Sequence, residues 1–217
     1  MSDISDLSEL LSRHGLVIDA SFIPQLQQYA KLLWQWNERL NLTRHTDAES
    51  FVTRDVMDTL QLLPFIRNGA SVVDVGTGGG VPGILIAILR PDVSVTLVES
   101  VARKTEALRA IVDAVPVEVS VVNARAEDHL QHDRYDILTA RAVAALPKLL
   151  KWFRPALLDR RLNRALLVKG PRWKEEEAES RKRRLCKDVN LREIATWQNA
   201  GRDGHSVLLE LSASRRR

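Results

Sequence analysis

The stretch 73–83 reads Val73-Asp74-Val75-Gly76-Thr77-Gly78-Gly79-Gly80-Val81-Pro82-Gly83. A β-branched apolar segment runs into a cluster of glycines and then a proline, which is the pattern of a strand that turns into a helix. Glycines let the backbone approach a ligand where a Cβ would collide. Pro82 suits the first helical turn, whose unpaired N–H groups favour an anion such as a carboxylate or phosphate. The stretch therefore predicts a ligand-binding turn.

A carboxylate follows at the end of the next predicted strand. Glu99 lies 23 residues beyond Gly76, where it can accept hydrogen bonds from both ribose hydroxyls of a nucleoside. A dinucleotide fingerprint starting at Gly76 would need a glycine at Val81, but the glycines fall at Gly76, Gly78 and Gly80. This D-x-G-x-G-x-G spacing is typical of methyltransferases. It predicts S-adenosylmethionine as the cofactor.

Short β-branched runs recur after residue 70 and alternate with amphipathic stretches, at 72–75, 93–98, 117–122, 135–139 and 165–168. Such spacing predicts parallel βαβ units in a sheet that is buried on both faces. Two last runs, 191–197 and 206–211, are joined by a loop with Gly201 and Gly204 that is too short for a helical crossover. We therefore predict an α/β fold of the class I methyltransferase type: a Rossmann-like, mostly parallel seven-stranded sheet with an antiparallel last strand.

The residues before 68 predict helices only. A helix over 24–40 would place five apolar residues on roughly one face: Leu26, Ala30, Leu33, Trp34 and Leu40. Thr46 and Glu49 have the spacing of a capping box that opens another helix. We expect residues 1–68 to form a helical cap packed on a main domain of residues 69–217, with the seam at Arg67-Asn68-Gly69.

The cysteine content and the distribution of apolar residues indicate the cellular compartment. The single cysteine, Cys186, lies in a charged segment predicted as an exposed helix, and it allows neither an intramolecular disulfide nor a thiolate metal cluster. The acidic start at residues 1–6 lacks a secretory pattern, and the apolar run 84–89 is too short for a bilayer. We expect a cytoplasmic protein without a metal. The net charge of +4 fits both a polyanionic partner and an ordinary enzyme.

The residues at the end of the fourth strand and the single cysteine disfavour two classes of methyl acceptor. The fourth strand ends in Thr139-Ala140-Arg141-Ala142-Val143, without the Asn or Asp, two prolines and aromatic that serve exocyclic amines. Methylation at pyrimidine C5 needs a nucleophilic cysteine, which the segment around Cys186 does not favour. A ring nitrogen such as guanine N7 needs neither a base nor a covalent intermediate, because its lone pair is available. Protein and small-molecule acceptors stay open.

Several motifs in order, over about residues 30–170, resemble the bacterial RsmG family, also called glucose-inhibited division protein B: Asn41-Leu42-Thr43, Arg54-Asp55-Val56-Met57-Asp58-Thr59, residues 76–83, Arg141-Ala142 and Lys169-Gly170. The resemblance implies a methyltransferase that acts on guanine N7 in the 530 loop of small-subunit (16S) ribosomal RNA. It also implies cofactor contacts, which together with the glycine loop and Glu99 give the set Gly76, Thr77, Gly78, Gly80, Val81, Glu99, Ala126, Glu127 and Arg141.

The resemblance implies two catalytic candidates, Arg141 near the acceptor and Lys169 facing the same cleft. A solvated strand end is the alternative for Lys169. The segment containing Ala126 and Glu127 follows the third strand, where a methyltransferase fold contacts adenine, and an acidic loop facing solvent is its alternative. The family usually has histidine directly after the arginine at position 54, whereas this chain has Asp55, whose role stays open.

Four further residues are candidates for contacts to RNA or to the cleft: Asn41, Thr43, Arg54 and Asp58. For Arg54 and Asp58 a buried ion pair that ties the cap to the main domain is equally compatible with the sequence. For Asn41 and Thr43 a polar turn that ends a helix is equally compatible.

The expected partner is 16S rRNA, within the small ribosomal subunit or an assembly intermediate, bound by a monomer. Guanine N7 is hidden in the deep groove of A-form RNA, so the target should be unpaired. The basic cluster 181–184 could contact phosphates, but the acids at 175–177 favour an exposed, self-paired helix face. Three rival classes remain: a non-catalytic RNA-binding or ribosome-assembly factor, a small-molecule methyltransferase, and a nicotinamide-dependent oxidoreductase, for which the glycine spacing is wrong.

Overall fold

A single seven-stranded sheet organises the chain, in a computed structural model that describes residues 4–198 and 204–214. The strands run β3-β2-β1-β4-β5-β7-β6 across the sheet, and β1 to β5 are parallel. Their bounds are β1 Ser71–Val75, β2 Ser94–Glu99, β3 Val119–Asn123, β4 Tyr135–Arg141, β5 Leu162–Lys169, β6 Val189–Gln198 and β7 His205–Ala213. Strand β7 pairs antiparallel with both β5 and β6. The predicted fold class and the final hairpin are confirmed; Gly201 lies outside the described residues.

Nine α-helices occur in the described part of the chain: α1 Leu7–Arg13, α2 Ile23–Asn37, α3 Ala48–Ser50, α4 Met57–Leu62, α5 Gly83–Leu89, α6 Ala102–Ala114, α7 Ala126–His129, α8 Leu146–Leu158 and α9 Trp173–Lys182. A π-helical segment, Phe51–Val56, joins α3 to α4, and 3₁₀ turns cover Ala20–Phe22 and Leu63–Phe65. The sequence did not predict the π-helical segment.

Two apolar cores lie on opposite faces of the sheet, as the two-residue period of a strand requires. Along β5, Leu166 and Val168 contribute to one core, whereas Ala165 and Leu167 contribute to the other. The first core also contains buried residues of α1 and α2, so the N-terminal helices pack on the α5 and α6 side of the sheet. The two parts of the chain thus share one continuous core, and the division at residue 68 stays a prediction.

Three local expectations are corrected. Helix α2 ends at Asn37, so Leu40 lies beyond it and is half-buried. The cap of α3 is Asp47, one residue after the predicted Thr46, because the Asp47 carboxylate accepts the Ser50 N–H at 2.7 Å. Cys186 lies in the turn that follows α9, where it is half-buried and burial raises its pKa. Within residues 4–198 and 204–214 no helix has the length and apolar character needed to cross a bilayer.

Candidate active site

The glycine loop connects β1 to α5 at the carboxyl edge of the sheet. Gly76, Gly78 and Gly80 have φ of 62°, 59° and 101°, a region that side chains with a Cβ rarely adopt. A Cβ on Gly76 would lie 2.6 Å from Val143 Cγ1, and a Cβ on Gly80 would collide with Ile84. Both the turn and the close packing beneath it therefore require glycine.

A buried aspartate holds this loop in shape. Asp74 is fully buried, and its Oδ2 accepts the Thr77 hydroxyl at 2.5 Å and the Gly83 N–H at 3.1 Å. Its Oδ1 accepts the Thr139 hydroxyl of β4 at 2.9 Å. Burial raises the pKa of Asp74 to about 6, although these hydrogen bonds oppose the rise. One side chain thus joins both ends of the loop to β4, a role that the sequence did not reveal.

Glu99 lies directly beside the loop, as predicted. It is 6% exposed; its Oε2 accepts the Gly78 N–H at 3.2 Å and its Oε1 accepts the Val101 N–H at 2.8 Å. The Asn123 side chain donates to the Glu99 carbonyl at 2.8 Å and so aligns the end of β3 with the end of β2. A carboxylate fixed next to a glycine turn, with lone pairs to spare, fits the ribose of a nucleoside cofactor.

The end of β3 leads into the short helix α7. Ala126 and Glu127 occupy its first turn and are both half-buried, so the alternative of a solvent-facing acidic loop does not describe them fully.

A cleft of about 1130 Å³ opens from the glycine loop. It brings together ten of the predicted site residues, namely Asn41, Thr43, Arg54, Asp58, Gly76, Thr77, Gly78, Val81, Arg141 and Lys169. Four others do not line it: Gly80, Glu99, Ala126 and Glu127. Glu99 contacts Gly78 and therefore borders the cleft. The cleft is large enough for a cofactor and part of an acceptor.

Arg141, at the end of β4, is the centre of a buried ion-pair network. Its Nη2 donates to Asp55 Oδ1 at 2.6 Å and its Nη1 to Asp58 Oδ2 at 3.2 Å. Asp55 is fully buried, and the Arg141 side chain is 15% exposed. Loss of one partner from such a network would leave a buried charge uncompensated, which is costly because each buried ion has lost its hydration.

Asp58 joins three parts of the chain. Its Oδ1 accepts the Trp197 indole N–H of β6 at 3.0 Å, while its Oδ2 pairs with Arg141. Burial raises the pKa of Asp58, and the contacts from Arg141 and Trp197 oppose that rise. The alternative of a direct Arg54–Asp58 ion pair does not hold among the described residues: Asp58 ties the N-terminal helices to the sheet through Arg141, and the charge of Arg54 acts on it only from a longer distance. The Nε and Nη1 atoms of Arg54 are buried without a partner in the described part of the chain.

Lys169, at the end of β5, is not a solvated strand end. Its Nζ donates to the Ala144 carbonyl at 3.0 Å and forms an ion pair with Glu176 Oε2 at 2.7 Å. Glu176 also accepts the Leu146 N–H that begins α8. Lys169 therefore joins the ends of β5, α8 and α9 at one side of the cleft.

The segment 41–45 covers the glycine loop from the N-terminal side. Asn37 Oδ1 accepts the N–H groups of Leu42 and Thr43 at 2.8 and 2.9 Å, and the Thr43 hydroxyl accepts the His45 N–H at 3.0 Å. The alternative of a polar turn after a helix therefore describes Thr43, while Asn41 is exposed at the cleft.

Two residues at the site, His45 and Tyr29, were not predicted from the sequence. His45 Nδ1 lies 2.6 Å from Asp55 Oδ1, so one buried oxygen contacts both His45 and Arg141. The Tyr29 hydroxyl of α2 donates to the Gly79 carbonyl at 2.8 Å, and burial raises the pKa of Tyr29. The only available signal for Tyr29 was its position one helical turn before Leu33, on the apolar face of α2.

The basic cluster 181–184 lies at the end of helix α9 and in the turn that follows, outside the lining of the cleft. Arg181 pairs with Glu177 at 2.7 Å and Arg183 with Glu179 at 2.8 Å, each four residues along the exposed face. This arrangement agrees with the self-paired face predicted from the sequence.

Comparisons with known proteins agree with this geometry. The family model described as GidB, rRNA small subunit methyltransferase G, matches residues 22–203. A ribosomal RNA small subunit methyltransferase G of Rhodopirellula baltica is 42% identical over 89% of this chain and 83% of the relative. One of Desulfitobacterium hafniense is 34% identical over 92% and 85%.

Solved structures share the fold at low identity. An O-methyltransferase of Bacillus cereus, solved in complex with SAH, superposes with a TM-score of 0.58 at 16% identity, over 85% of this chain and 90% of that one. A human methyltransferase 10 domain containing protein also gives 0.58, at 15% identity over 85% and 96%. The fold is thus that of S-adenosylmethionine-dependent methyltransferases. From the match over most of its length, the chain belongs to the GidB family, rRNA small subunit methyltransferase G.

Proposed function

We propose that this chain transfers the methyl group of S-adenosylmethionine to N7 of a guanine in the 530 loop of 16S ribosomal RNA. The observation that carries the proposal is that one cleft is lined both by the glycine loop and by Arg54, Arg141 and Lys169. A cofactor on the glycine loop would meet an acceptor held near these side chains. Membership in a family of small-subunit rRNA methyltransferases supplies the substrate class.

S-adenosylmethionine, when bound, supplies an electrophilic methyl group. The residues that would hold it are the predicted set, Gly76, Thr77, Gly78, Gly80, Val81, Glu99, Ala126, Glu127 and Arg141. Glu99 keeps lone pairs for the ribose after accepting the Gly78 and Val101 N–H groups. The glycines of this loop, Gly76 and Gly78 among them, lack Cβ atoms and let the ligand approach the backbone closely.

The acceptor needs position rather than activation. Guanine N7 carries a lone pair, so a bond from N7 to the methyl carbon forms as the carbon–sulfur bond breaks and its electron pair leaves with sulfur. No proton has to be removed, and alignment of the two reacting atoms is the main contribution of the enzyme. We propose that Arg141 and Lys169 contact the acceptor and act through this alignment.

The Asp58 carboxylate suits the product. The purine ring becomes positively charged when N7 is methylated. Arg141 lies between Asp55 and Asp58, so these three groups together carry a charge of −1 when all are ionised. Asp58 lines the cleft, where its carboxylate would stabilise positive charge that develops on the base.

The RNA setting follows from the accessibility of N7. We propose that the target guanine is unpaired and enters the cleft from a folded loop of the small subunit or an assembly intermediate. Asn41 and Thr43 would border the entering RNA, because both line the cleft on the segment that covers the glycine loop. We further propose that the protein acts as a monomer in the cytoplasm.

Incubation with methyl-labelled S-adenosylmethionine and either naked 16S rRNA or intact small subunits tests the proposal. Label is expected in one guanine of the 530 loop, located by mass spectrometry of nuclease fragments and by strand scission specific for N7-methylguanine. The Glu99→Ala variant serves as the control for cofactor dependence. Cofactor binding without label in either RNA would contradict the proposal and favour a non-catalytic or small-molecule role.

A further inference from the structure

The Arg54 side chain in the cleft forms no ion pair within 4 Å among the described residues, although its charge helps to offset the rise that burial causes in the pKa of the nearby Asp58. Arg54 is half-buried, and its Nε and Nη1 atoms are shielded from solvent without a hydrogen-bond partner in residues 4–198 and 204–214. The neighbouring Arg141, by contrast, is paired with two carboxylates. Leaving buried guanidinium N–H groups unsatisfied costs free energy, so this position favours a ligand that supplies an anionic oxygen.

The backbone at Arg54 has an unusual conformation. Arg54 lies in the π-helical segment Phe51–Val56, and π-turns inside helices occur frequently at functional sites. Asp55, in the same segment, is buried under Arg141 and His45. Arg54 instead lines the cleft. The segment therefore supplies Asp55 to the buried ion-pair network and its neighbour Arg54 to the cleft.

Two more arginines of the cleft carry no ion pair among the described residues. Arg44 and Arg172 are both exposed, and together with Arg54 we call them the unpaired arginines. Arg44 belongs to the segment that covers the glycine loop, and Arg172 immediately precedes α9. They therefore approach the cleft from two different elements at its solvent side, while Arg54 lies deeper.

Three unpaired guanidinium groups favour a ligand with several phosphates, such as a phosphodiester chain. The cofactor offers a single carboxylate, whereas RNA offers one phosphate for each nucleotide, and three unpaired guanidiniums exceed the need of one carboxylate. The planar guanidinium also matches the geometry of two phosphate oxygens, which it can bind with two parallel hydrogen bonds.

We propose that Arg54 binds the backbone phosphate next to the target guanine, while Arg44 and Arg172 bind flanking phosphates at the rim. This inference rests on the proposed function, because it takes RNA as the substrate. A nucleotide that leaves its stack loses stacking and pairing energy, and contacts to its backbone offset that loss. Arg54 thus positions the acceptor strand without touching the reacting base.

The test compares Arg54→Gln with Arg109→Gln, which removes the same charge from the exposed surface of α6 outside the cleft. Both variants should fold, since Nε and Nη1 of Arg54 have no hydrogen-bond partner among the described residues and the exposed Arg109 makes one long contact, to the Val121 carbonyl at 3.4 Å. Affinities for a 16S rRNA transcript and for small subunits are measured by filter binding over a range of salt concentrations. Affinity for S-adenosylmethionine is measured by calorimetry.

Arg54→Gln should weaken RNA binding roughly 10-fold and lower the slope of log affinity against log salt by about 1. Arg54→Lys should keep most of the salt slope, because it retains the charge. Cofactor affinity should be unchanged in every variant, and Arg109→Gln should match the wild type.

Four results would overturn the inference. Wild-type RNA affinity and salt slope in Arg54→Gln would show that no phosphate binds there. A loss of cofactor affinity in place of RNA affinity would assign Arg54 to the cofactor carboxylate. A wild-type protein that binds no RNA would remove the proposed function as well, whereas normal methylation by Arg54→Gln would remove the inference alone.

Discussion

The two walls of the cleft are built in different ways. The glycine loop is formed by residues close in sequence, fixed by main-chain groups and by the buried Asp74. The neighbouring wall is formed by charged side chains from distant elements, with Arg141, two residues beyond the β4 partner of Asp74, bound to Asp55 and Asp58 of the N-terminal helices. The first wall depends on backbone conformation, and the second depends on buried ion pairs. Substitutions should therefore affect the two walls differently.

The largest expected effect is on the stability of the charged wall, which is centred on Arg141. Arg141→Ala leaves Asp55 and Asp58 buried without their counter-charge, so the free energy of unfolding should fall by about 3–5 kcal/mol. Urea denaturation measures this change. Arg181→Ala is the matched control, because Arg181 is 60% exposed and pairs only on the surface of α9. Equal stability of the two variants would mean that Arg141 is not structural.

The second-largest expected effect concerns the glycine loop. Gly78→Asp introduces a carboxylate beside Glu99 at a residue with φ of 59°, so affinity for S-adenosylmethionine should fall at least about 100-fold. Calorimetry measures the affinity. Gly15→Asp is the control: Gly15 has φ of 65° and open space around it, so it carries the same backbone strain away from the loop. Unchanged cofactor affinity in Gly78→Asp would refute the loop assignment.

Asp74 links stability to pH. Its pKa is raised from 3.8 to about 6 in the folded protein, so between these values the folded state binds more protons than the unfolded state. Its contribution to the free energy of unfolding should therefore fall as pH rises from about 4 to about 7, by the order of 1–3 kcal/mol. Unfolding measured in urea at several pH values tests this expectation.

Asp74→Asn provides the comparison. The amide can accept the Thr77 and Gly83 donors through its oxygen and donate to the Thr139 hydroxyl, so the fold should persist. The variant should lack this part of the pH dependence. The same pH profile in both proteins would contradict the raised pKa.

The smallest effect concerns the contact between the N-terminal helices and the glycine loop. Tyr29→Phe removes the hydrogen bond to the Gly79 carbonyl and should lower the free energy of unfolding by about 1–2 kcal/mol. Thermal unfolding with and without cofactor measures it. If the variant is as stable as the wild type, the hydroxyl does not support the loop.

The same contrast explains what the sequence could predict. The parallel strands, the final hairpin and the position of Glu99 beside Gly78 follow from local periodicity and glycine spacing. The partners of Arg141 could not be predicted, because they lie 86 and 83 residues away and no local pattern joins them. The π-helical segment Phe51–Val56 also escaped, since its residues have the same pattern as an ordinary helix. The sequence left the partner of Asp58 open between alternatives for the same reason.

The most direct test of the two-wall description is a comparison of KM values in methyl transfer to small subunits. Glu99→Ala represents the cofactor wall and Arg54→Gln the acceptor wall. We predict that Glu99→Ala raises KM for S-adenosylmethionine while KM for the subunit stays near wild type, and that Arg54→Gln does the reverse. Both variants raising both KM values equally would contradict the separation of the two walls.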